Sequence, residues 1–337
     1  MKKMVSLMLL IALSILLVAG CGINKDAKLE SNKTTGQQSA NSKPDIIRFG
    51  YQTADVSFIV AKEKGWFKDE FAADGIELKY DKFISGPPMI EAFAGNRLDF
   101  GLVGDQPAIQ AKSNNIDIKA VGVPISGPKT LGLVVPNGSQ ITSPKDLKGK
   151  KVGVTIGSVG HQLLYLYLQS NGLTANDVQQ VNLQPADIKT ALAAKNIDAA
   201  VTWEPFISTI EYENIGKEIA DATGLKQNAN LIIVPSEFTK QYPDIVKRVL
   251  KVFVKSAAWI KQNPAETIQI VAQDTGIKPE ILAITLPKYD NDVQITDEVI
   301  KSVQQTATFL RGNNIIRQDI DVNELIDTSY LKAIGAQ

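Results

Sequence analysis

The sequence predicts an α/β protein with two similar lobes, each a mixed β-sheet flanked by helices. Three observations support this prediction. From residue 45 onward, short strand-like runs alternate with helix-like stretches, an order that is typical of α/β folds. One helix–turn–strand segment recurs further along the chain. The chain has 337 residues, which is more than a single hydrophobic core usually organises.

The first 20 residues have the three-part layout of an export signal. Lys2 and Lys3 precede an almost unbroken apolar run from residue 5 to residue 17, and residues 18–20 lead to Cys21, the only cysteine. This order is typical of a secretory signal, and a cysteine at the cleavage point indicates a bacterial lipoprotein acylated at Cys21. The alternative is an uncleaved membrane anchor, but a span needs about 20 apolar residues and this run is shorter.

Residues 21–44 are predicted to form a lipidated, flexible tether. After Cys21 the segment is dominated by Asn, Lys, Ser, Thr, Gly and Gln, with Ile23 and Leu29 as its only large aliphatic residues. Such a composition cannot bury enough apolar surface to order itself. We therefore expect the tether to hold a globular part near the outer face of the cytoplasmic membrane, on the periplasmic side where an outer membrane exists.

Residues 45–130 are predicted to form the first part of lobe 1. A strand at 46–51 is followed by a helix at 56–64, which Gly65 ends, and then by a second strand at 76–83. The β-branched and aromatic residues of the two strands and the helix between them are typical of a β–α–β unit. Lobe 1 is therefore expected to contain a largely parallel sheet.

Residues 131–233 are predicted to form lobe 2, and residues 234–337 to return to lobe 1 with a helical C-terminal region. Apolar side chains recur at helical spacing in this last part, which indicates buried helix faces. Trp259 lies on one of these faces and is predicted to belong to the core. The three helices are predicted at 244–263, 264–276 and 296–311.

The internal repeat relates residues 92–102 to residues 191–201, 99 positions later. Both segments contain a helix end, a tight turn, an aliphatic residue followed by Asp, and a short buried strand. Any two helix–turn–strand units share some of this pattern, but the register extends beyond the segments and aligns Asp105 with Glu204. We interpret the repeat as two lobes of one plan. Ligands of open α/β sheets bind beyond the carboxyl ends of the strands, so a cleft between the lobes is predicted.

The composition excludes several classes of function. The full chain has 36 basic and 36 acidic residues, and removing residues 1–20 takes away two lysines and no acid. The resulting near-neutral charge argues against nucleic-acid binding, which favours a basic face. With Cys21 lipidated, no thiol remains for catalysis or a metal cluster. The single histidine, His161, cannot build a typical zinc site alone, and no metal or cofactor is expected.

Three predicted helices begin where strands enter the proposed cleft. Ser158 follows a strand and Gly157, Ser85-Gly86 precedes another helix, and Gly104-Asp105 precedes a third. Helix N-termini attract anions because unpaired N–H groups and the helix dipole both favour negative charge. Ser158 alone is equally consistent with a cap on its own helix. Because these loops lack Lys and Arg, they favour a weakly basic anion such as a sulfonate over a phosphate, which more often recruits arginine.

A second group of polar and aromatic residues lies near the same loops. Trp203 is suited to packing on an organic tail, or alternatively is partly buried core, and Glu204 follows it. Asp105 and Glu204 as a facing carboxylate pair would suggest glycosidase chemistry, but nothing else indicates sugar chemistry. His161 lies one turn inside the Ser158 helix, where it either faces the cleft or caps a neighbour. No Ser/His/Asp order, Walker loop or dinucleotide glycine motif is present.

These motifs resemble the substrate-binding proteins of ABC importers for sulfonates, taurine and nitrate, and most closely the aliphatic sulfonate binders. The resemblance covers residues 46–321. Four blocks carry it, of which the second, with Ser85-Gly86-Pro87 leading to Asp99-Phe100-Gly101 and Gly104-Asp105, is the most specific. The blocks are Phe49-Gly50-Tyr51-Gln52, residues 83–108, residues 146–161 and residues 185–206.

The resemblance implies a type II periplasmic-binding-protein fold with two crossover strands at the hinge. It implies a monomer that closes on a small anionic ligand, has no catalytic residue, and delivers the ligand to a permease and its ATPase. Binders of taurine, nitrate, bicarbonate or a thiamine-precursor pyrimidine remain alternatives, as do an enzyme on the same fold and a purely structural lipoprotein. The residues implied to line the cleft are Gln52, Ser85, Gly86, Gly104, Asp105, Ser158, His161, Trp203 and Glu204.

Overall fold

A computed structural model describes residues 43–337, so the predictions for the export signal, for Cys21 and for most of the tether lie outside the described residues. The strands are β1 Ile46–Tyr51, β2 Glu77–Lys82, β3 Phe100–Gly104, β4 Ile118–Ser126, β5 Leu131–Pro136, β6 Lys151–Val154, β7 Gln179–Asn182, β8 Ala199–Trp203, β9 Gly216–Asp221 and β10 Ala229–Pro235.

Helices cover both faces of the sheets and form most of the C-terminal part. No helix in residues 43–337 combines the length and the apolar character that crossing a membrane requires. The helices are α1 Val56–Glu63, α2 Trp66–Phe71, α3 Gly86–Ala94, α4 Asp105–Ser113, α5 Val159–Ser170, α6 Pro185–Ala193, α7 Phe206–Tyr212, α8 Ser236–Gln241, α9 Pro243–Gln262, α10 Pro264–Thr275, α11 Pro279–Thr285, α12 Asp297–Gly312, α13 Val322–Leu325 and α14 Ser329–Ala333.

The strands form two five-stranded sheets with the same plan. The first has the order β2-β1-β3-β10-β4 and the second the order β7-β6-β8-β5-β9. In each sheet four strands run in the same direction, and one strand that arrives from the other half of the chain, β10 or β5, inserts antiparallel between two of them. The predicted fold class is therefore confirmed: two lobes, each a mixed sheet flanked by helices.

The internal repeat corresponds to the same turn in both lobes. Asn96 and Lys195, 99 positions apart, both adopt left-handed backbone conformations with φ of 53° and 57°. After each turn an aspartate accepts a hydrogen bond from a strand amide: Asp99 from the Arg48 N–H and Asp198 from the Lys151 N–H, each at 2.8 Å. Each aspartate thus fixes the start of a parallel strand against its neighbour in the sheet.

Lobe 1 has an aromatic core between its sheet and its outer helices. Phe49, Phe58 and Phe67 are fully buried, with ring centroids 5.0 to 5.5 Å apart. Trp259 packs against this core from α9 and meets the Trp66 ring edge-on at 5.9 Å. The tryptophan is half-buried, so it covers the core from the outside.

The C-terminal region departs from the predicted boundaries in two ways. The chain was expected to return to lobe 1 after residue 233, but β10 already pairs with β3 and β4 of the first sheet from Ala229. The region also does not belong to lobe 1 alone. Helix α11 packs on α7 of lobe 2, and α12 packs on α4 of lobe 1 and, through Phe309 and Tyr165, on α5 of lobe 2. The periodicity of a helix shows which residues are buried, not which lobe buries them.

Candidate ligand-binding cleft

A cavity of about 30 Å³ lies between the two lobes, at the carboxyl ends of the strands. This location is where α/β sheets bind their ligands. Lobe 1, lobe 2, the two crossover segments and the C-terminal region all contribute to the wall. The lining residues are Gln52, Ala54, Gly86, Gly104, Pro107, Ile125, Thr130, Ser158, Val159, Trp203, Glu204, Asn228, Asn230 and Tyr289.

Three helices begin at this cavity, as the sequence predicted. Gly86 is the first residue of α3, Gly104 is the N-cap of α4, and Ser158 is the N-cap of α5. The first amides of a helix have no acceptor within the helix, and their dipoles point positive charge into the cavity. Ser158 is a true cap, because its hydroxyl accepts from the His161 amide and donates to the Thr155 carbonyl. The amides that follow Ser158, rather than its hydroxyl, are the donors offered to a ligand.

The two lobes are in direct contact across the cavity mouth. A Cβ atom placed on Gly104 of lobe 1 would lie 2.3 Å from Cγ1 of Val159 in lobe 2. On the other side of the mouth, a Cβ on Gly157 would lie 3.4 Å from Pro87 of lobe 1. Only glycine at position 104 permits this approach, so the structure represents a closed arrangement of the two lobes.

Polar groups without partners face or border the cavity. The hydroxyl of Tyr289 and Oδ1 of Asn228 line the wall and have no hydrogen-bond partner within the described residues. The hydroxyl of Ser85, at the N-cap of α3, is likewise buried and unpaired within residues 43–337. Buried polar groups are normally satisfied. The hydroxyl groups of Tyr289 and Ser85 are therefore hydrogen-bond donors available to a bound oxygen atom.

Asp105 does not face the cavity but forms a fully buried ion pair with Lys226. Neither side chain is exposed by more than 2%. Thr306 of α12 donates to Asp105 Oδ2 at 2.7 Å and accepts from Lys226 and from Gln162 of α5, each at 3.0 Å. Burial lowers the pKa of Lys226, although the charge of Asp105 opposes this shift. The network joins α4 of lobe 1, α5 of lobe 2 and the segment between β9 and β10.

Glu204 lines the cavity but is also paired with a lysine. Lys288, in the turn that follows α11, contacts Glu204 Oε1 and lies 3.4 Å from Glu218 Oε2. Ser208 donates to Glu204 through its amide at 3.0 Å and its hydroxyl at 2.9 Å. Burial lowers the pKa of Lys288, but the charges of the surrounding glutamates outweigh this effect and raise it. Glu204 is thus neutralised by groups of its own chain.

His161 is directed away from the cavity. Its Nε2 atom lies 3.0 Å from Gln180 Oε1, and its Nδ1 atom accepts from the Gly157 amide at 3.4 Å. The ring also meets Tyr165 edge-on, with centroids 4.9 Å apart. Burial lowers the pKa of His161, so the ring is neutral above its ordinary pKa. His161 supports the loop before α5, and it does not line the cavity wall where it was expected among the ligand-binding residues.

The structure brings together most of the site residues that the sequence predicted. Gln52, Gly86, Gly104, Ser158, Trp203 and Glu204 line the cavity, whereas Ser85 borders it and Asp105 and His161 lie behind it. Sequence reasoning missed Lys226 and Lys288, and also Asn228, Asn230 and Tyr289. Nothing marks these residues in the sequence, because they lie in the crossover segments and the C-terminal region, outside the internal repeat.

Two α/β lobes joined by two crossovers, with a cavity between them, define a binding protein of the periplasmic type. The known proteins that this chain resembles agree with that class. A family model described as NMT1/THI5 like matches residues 52–267. A Bacillus subtilis (strain 168) protein named an aliphatic sulfonates-binding protein is 35% identical over 337 residues, covering 98% of this chain and 96% of the relative.

Solved structures give the same result. The alkanesulfonate-binding protein SsuA of Xanthomonas axonopodis pv. citri, bound to MOPS, superposes with a TM-score of 0.80 at 26% identity, covering 85% of this chain and 99% of that chain. The aliphatic sulphonate-binding protein SsuA of Escherichia coli gives 0.75 at 27% identity, covering 84% and 97%. This chain belongs to the NMT1/THI5-like family, in the group of the aliphatic sulfonate-binding proteins.

The fold by itself does not separate binding from catalysis. The desulfurization enzyme DSZB superposes with a TM-score of 0.68 at 16% identity, over 86% of this chain and 99% of that chain. At that identity the likeness shows the fold alone, and one fold commonly hosts several functions. The relatives reported above at higher identity are binding proteins.

Proposed function

We propose that this chain is the extracytoplasmic solute-binding component of an ABC importer, and that it captures aliphatic sulfonates for delivery to a permease and its ATPase. The observation that carries the proposal is the electrostatic design of the cavity. Among the described lining residues there is no lysine or arginine, and the one acid, Glu204, is paired with Lys288. An anion therefore meets helix dipoles and hydroxyl groups rather than a fixed charge.

This design suits a sulfonate better than the alternative anions. A sulfonate is a weak base that stays ionised at any physiological pH, so neutral donors hold it adequately, whereas phosphate more often recruits arginine. Taurine carries an ammonium group that would require a free carboxylate. The carboxylate of Glu204 is not free, because it already accepts hydrogen bonds from Lys288 and Ser208. Nitrate would leave Trp203 without an apolar group to cover. A sulfonate with an uncharged organic tail uses both the dipoles and the indole.

The same observations argue against catalysis. A carboxylate pair acts as acid and base only when the two groups face one substrate, and here Asp105 and Glu204 each face a lysine of the chain. His161 is tied to Gln180 behind the loop. Residues 43–337 contain no cysteine, so a cysteine-based reaction lacks its nucleophile. We propose that the chain binds its ligand without transforming it.

The proposed location rests on the leader. We propose that Cys21 is acylated after cleavage of residues 1–20 and that residues 21–44 tether the lobes, as a monomer, at the outer face of the cytoplasmic membrane. Replacing Cys21 with Ser removes the acyl acceptor and should move the protein from the membrane fraction to the soluble extracytoplasmic fraction. Unchanged membrane retention of C21S would contradict the anchor, and sedimentation of the released protein as a dimer would contradict the monomer.

Titration calorimetry tests the proposed ligand. The protein is titrated with ethanesulfonate, hexanesulfonate, taurine, nitrate, bicarbonate, sulfate and hexanoate in Tris, since many common buffers are themselves sulfonates. We expect the alkanesulfonates to bind most tightly, and hexanoate to bind weakly although its tail is the same. Tightest binding of taurine, nitrate or bicarbonate would replace the proposed ligand within the same family role. No binding of any of them, with turnover of a sulfinate or a pyrimidine, would favour an enzyme.

A further inference from the structure

Asp55 is a fully buried carboxylate located directly behind the cavity. It precedes α1, and its side chain has no solvent exposure. One oxygen accepts from the Gln52 amide at 2.7 Å, and the other accepts from Nδ2 of Asn230 at 3.0 Å. Gln52, Asn230 and Ala54, the residue before Asp55, all line the cavity wall. Asp55 therefore holds two lining residues in place from behind.

Asp55 differs from the other buried acids of this region in having no cation. Among residues 43–337, Asp105 is paired with Lys226 and Glu204 with Lys288, whereas Asp55 forms no ion pair. The groups that face it are neutral: Gln52 from the loop after β1, Asn230 from β10 and the Tyr289 hydroxyl from the turn beyond α11. Tyr289 also lies near Glu204, which is paired with Lys288 in a network that includes Glu218.

We propose that Asp55 is a positioning residue for the anion site, and that the ligand binds together with one proton on the Asp55 carboxyl group. The proton comes from solvent, and no bond other than the O–H bond forms. The reason is electrostatic. An anion in the cavity is brought close to a buried carboxylate, and two like charges in a poorly solvated region raise the cost of keeping both ionised. Protonating Asp55 removes that cost while its second oxygen still accepts a hydrogen bond.

Without ligand, the pKa of Asp55 lies in the physiological pH range, so the proposed proton uptake would change ligand affinity within that range. Burial raises the pKa of Asp55 to about 7, against the opposing hydrogen bonds from Gln52 and Asn230. An anion raises it further. Below about pH 7 the carboxyl group is protonated with or without ligand, so affinity is constant. Above that pH, binding requires proton uptake, so affinity falls by up to tenfold per pH unit.

The inference rests on the proposed anion binding, and one set of titrations separates the two. Ethanesulfonate is titrated from about pH 6 to about pH 8.5, with bis-Tris and Tris compared near pH 7 because their protonation enthalpies differ. For the wild-type protein we expect loss of affinity above about pH 7. Near pH 7, where about half of the free protein is already protonated at Asp55, we expect uptake of up to about half a proton per ligand, read from the difference between the two buffers. No binding at any pH contradicts the proposed function. Binding with no proton uptake and no pH dependence contradicts only the role of Asp55.

Two variants assign the proton to its site. Asp55→Asn keeps one acceptor oxygen and the shape of the side chain, so it should bind with an affinity that does not change with pH, and at pH 8 more tightly than the wild type. Glu218→Gln is the matched control, because burial also raises the pKa of Glu218 to about 7, yet Glu218 does not line the cavity. E218Q should retain the pH dependence. If the dependence persists in D55N, or disappears in E218Q, Asp55 is not the site. If D55N does not fold, the proton count of the wild type still decides whether a proton is bound.

Discussion

The loops after β3 and β8 occupy corresponding positions in the two lobes but meet the cavity differently. In lobe 1 the loop is Gly104-Asp105, with a bare backbone at the cavity and the acid turned away into a fully buried pair with Lys226. In lobe 2 the loop is Trp203-Glu204, with an indole and the acid both in the wall. The side chain of Lys288, the partner of Glu204, is 19% exposed.

The two lobes therefore contribute different chemical groups to the cavity. Lobe 1 offers backbone amides and the space for close approach, while lobe 2 offers an apolar surface for a ligand tail. Both lysines come from outside the repeat: Lys226 from the crossover between β9 and β10, and Lys288 from the turn after α11. The first pair therefore connects a cavity loop to a crossover between the lobes, and the second connects a cavity loop to the C-terminal region.

The largest expected effect comes from breaking the more deeply buried pair. Lys226→Met leaves the charge of Asp105 in a site without solvent, and removing one partner of a buried ion pair costs about 3–5 kcal/mol of unfolding free energy. Lys288→Met should cost less, about 1–3 kcal/mol, because the Lys288 side chain is 19% exposed and solvent therefore reaches this pair. Denaturant unfolding of both variants measures the difference. An equal or larger loss in K288M would show that the two pairs are not distinguished by burial.

The next effect concerns the close approach of the lobes at Gly104. In Gly104→Ala the new methyl group would collide with Val159, so we expect the closed arrangement to be disfavoured and sulfonate affinity to fall by on the order of 10- to 100-fold. Gly312→Ala is the matched control, since nothing lies within 4 Å of a Cβ at that helical position. Calorimetry checks the affinity and small-angle scattering checks the closure. Wild-type affinity in G104A would contradict the proposed contact between the lobes.

The corresponding residue of lobe 2 tests the apolar wall. Trp203→Ala should weaken hexanesulfonate by about 2 kcal/mol, the loss typical of a buried aromatic contact, and should weaken ethanesulfonate less. Trp259→Ala removes the same side chain from the outer surface of lobe 1 and should leave both affinities unchanged. The two variants are compared in the same calorimetric titrations. A uniform loss for both ligands in W203A would mean that the indole supports the fold rather than the tail.

The smallest expected effect compares the two serine caps. Ser158→Ala removes a hydroxyl that caps α5 and should cost about 1 kcal/mol of stability, with little loss of affinity because the amides remain. The hydroxyl of Ser85 has no partner within the described residues, so Ser85→Ala should leave stability unchanged and weaken binding instead. Thermal unfolding and calorimetry on both variants separate the two outcomes. A loss of stability in S85A together with a loss of affinity in S158A would mean that Ser85 is the structural cap and Ser158 the donor to the ligand.

The sequence was sufficient to predict the architecture because strands, helix caps and the repeat leave local signals. The start of α5 followed from its cap, because Ser158 after Gly157 predicted a helix beginning there. The offset between residues 92–102 and 191–201 predicted two equivalent sheets. The residues that line the cavity from these local motifs, such as Gly104 and Trp203, were predicted for the same reason.

The parts that were missed depend on contacts distant in sequence. Asp105 and Lys226 are 121 positions apart, and Glu204 and Lys288 are 84 apart. A lysine carries no signal of its own that it will be buried, and an acid before a helix looks the same whether it faces a ligand or a lysine. For this reason Asp105 and His161 were expected in the cleft, whereas they lie behind it.

The central claim is that neutral donors at three helix N-termini hold the sulfonate between the lobes. A crystal structure of the protein with ethanesulfonate tests it most directly. We expect the sulfonate oxygens to accept from backbone amides at the starts of α3, α4 and α5 and from the Tyr289 hydroxyl, with both lysine pairs intact. A sulfonate bound by Lys226 or Lys288, or located outside this cavity, would contradict the account.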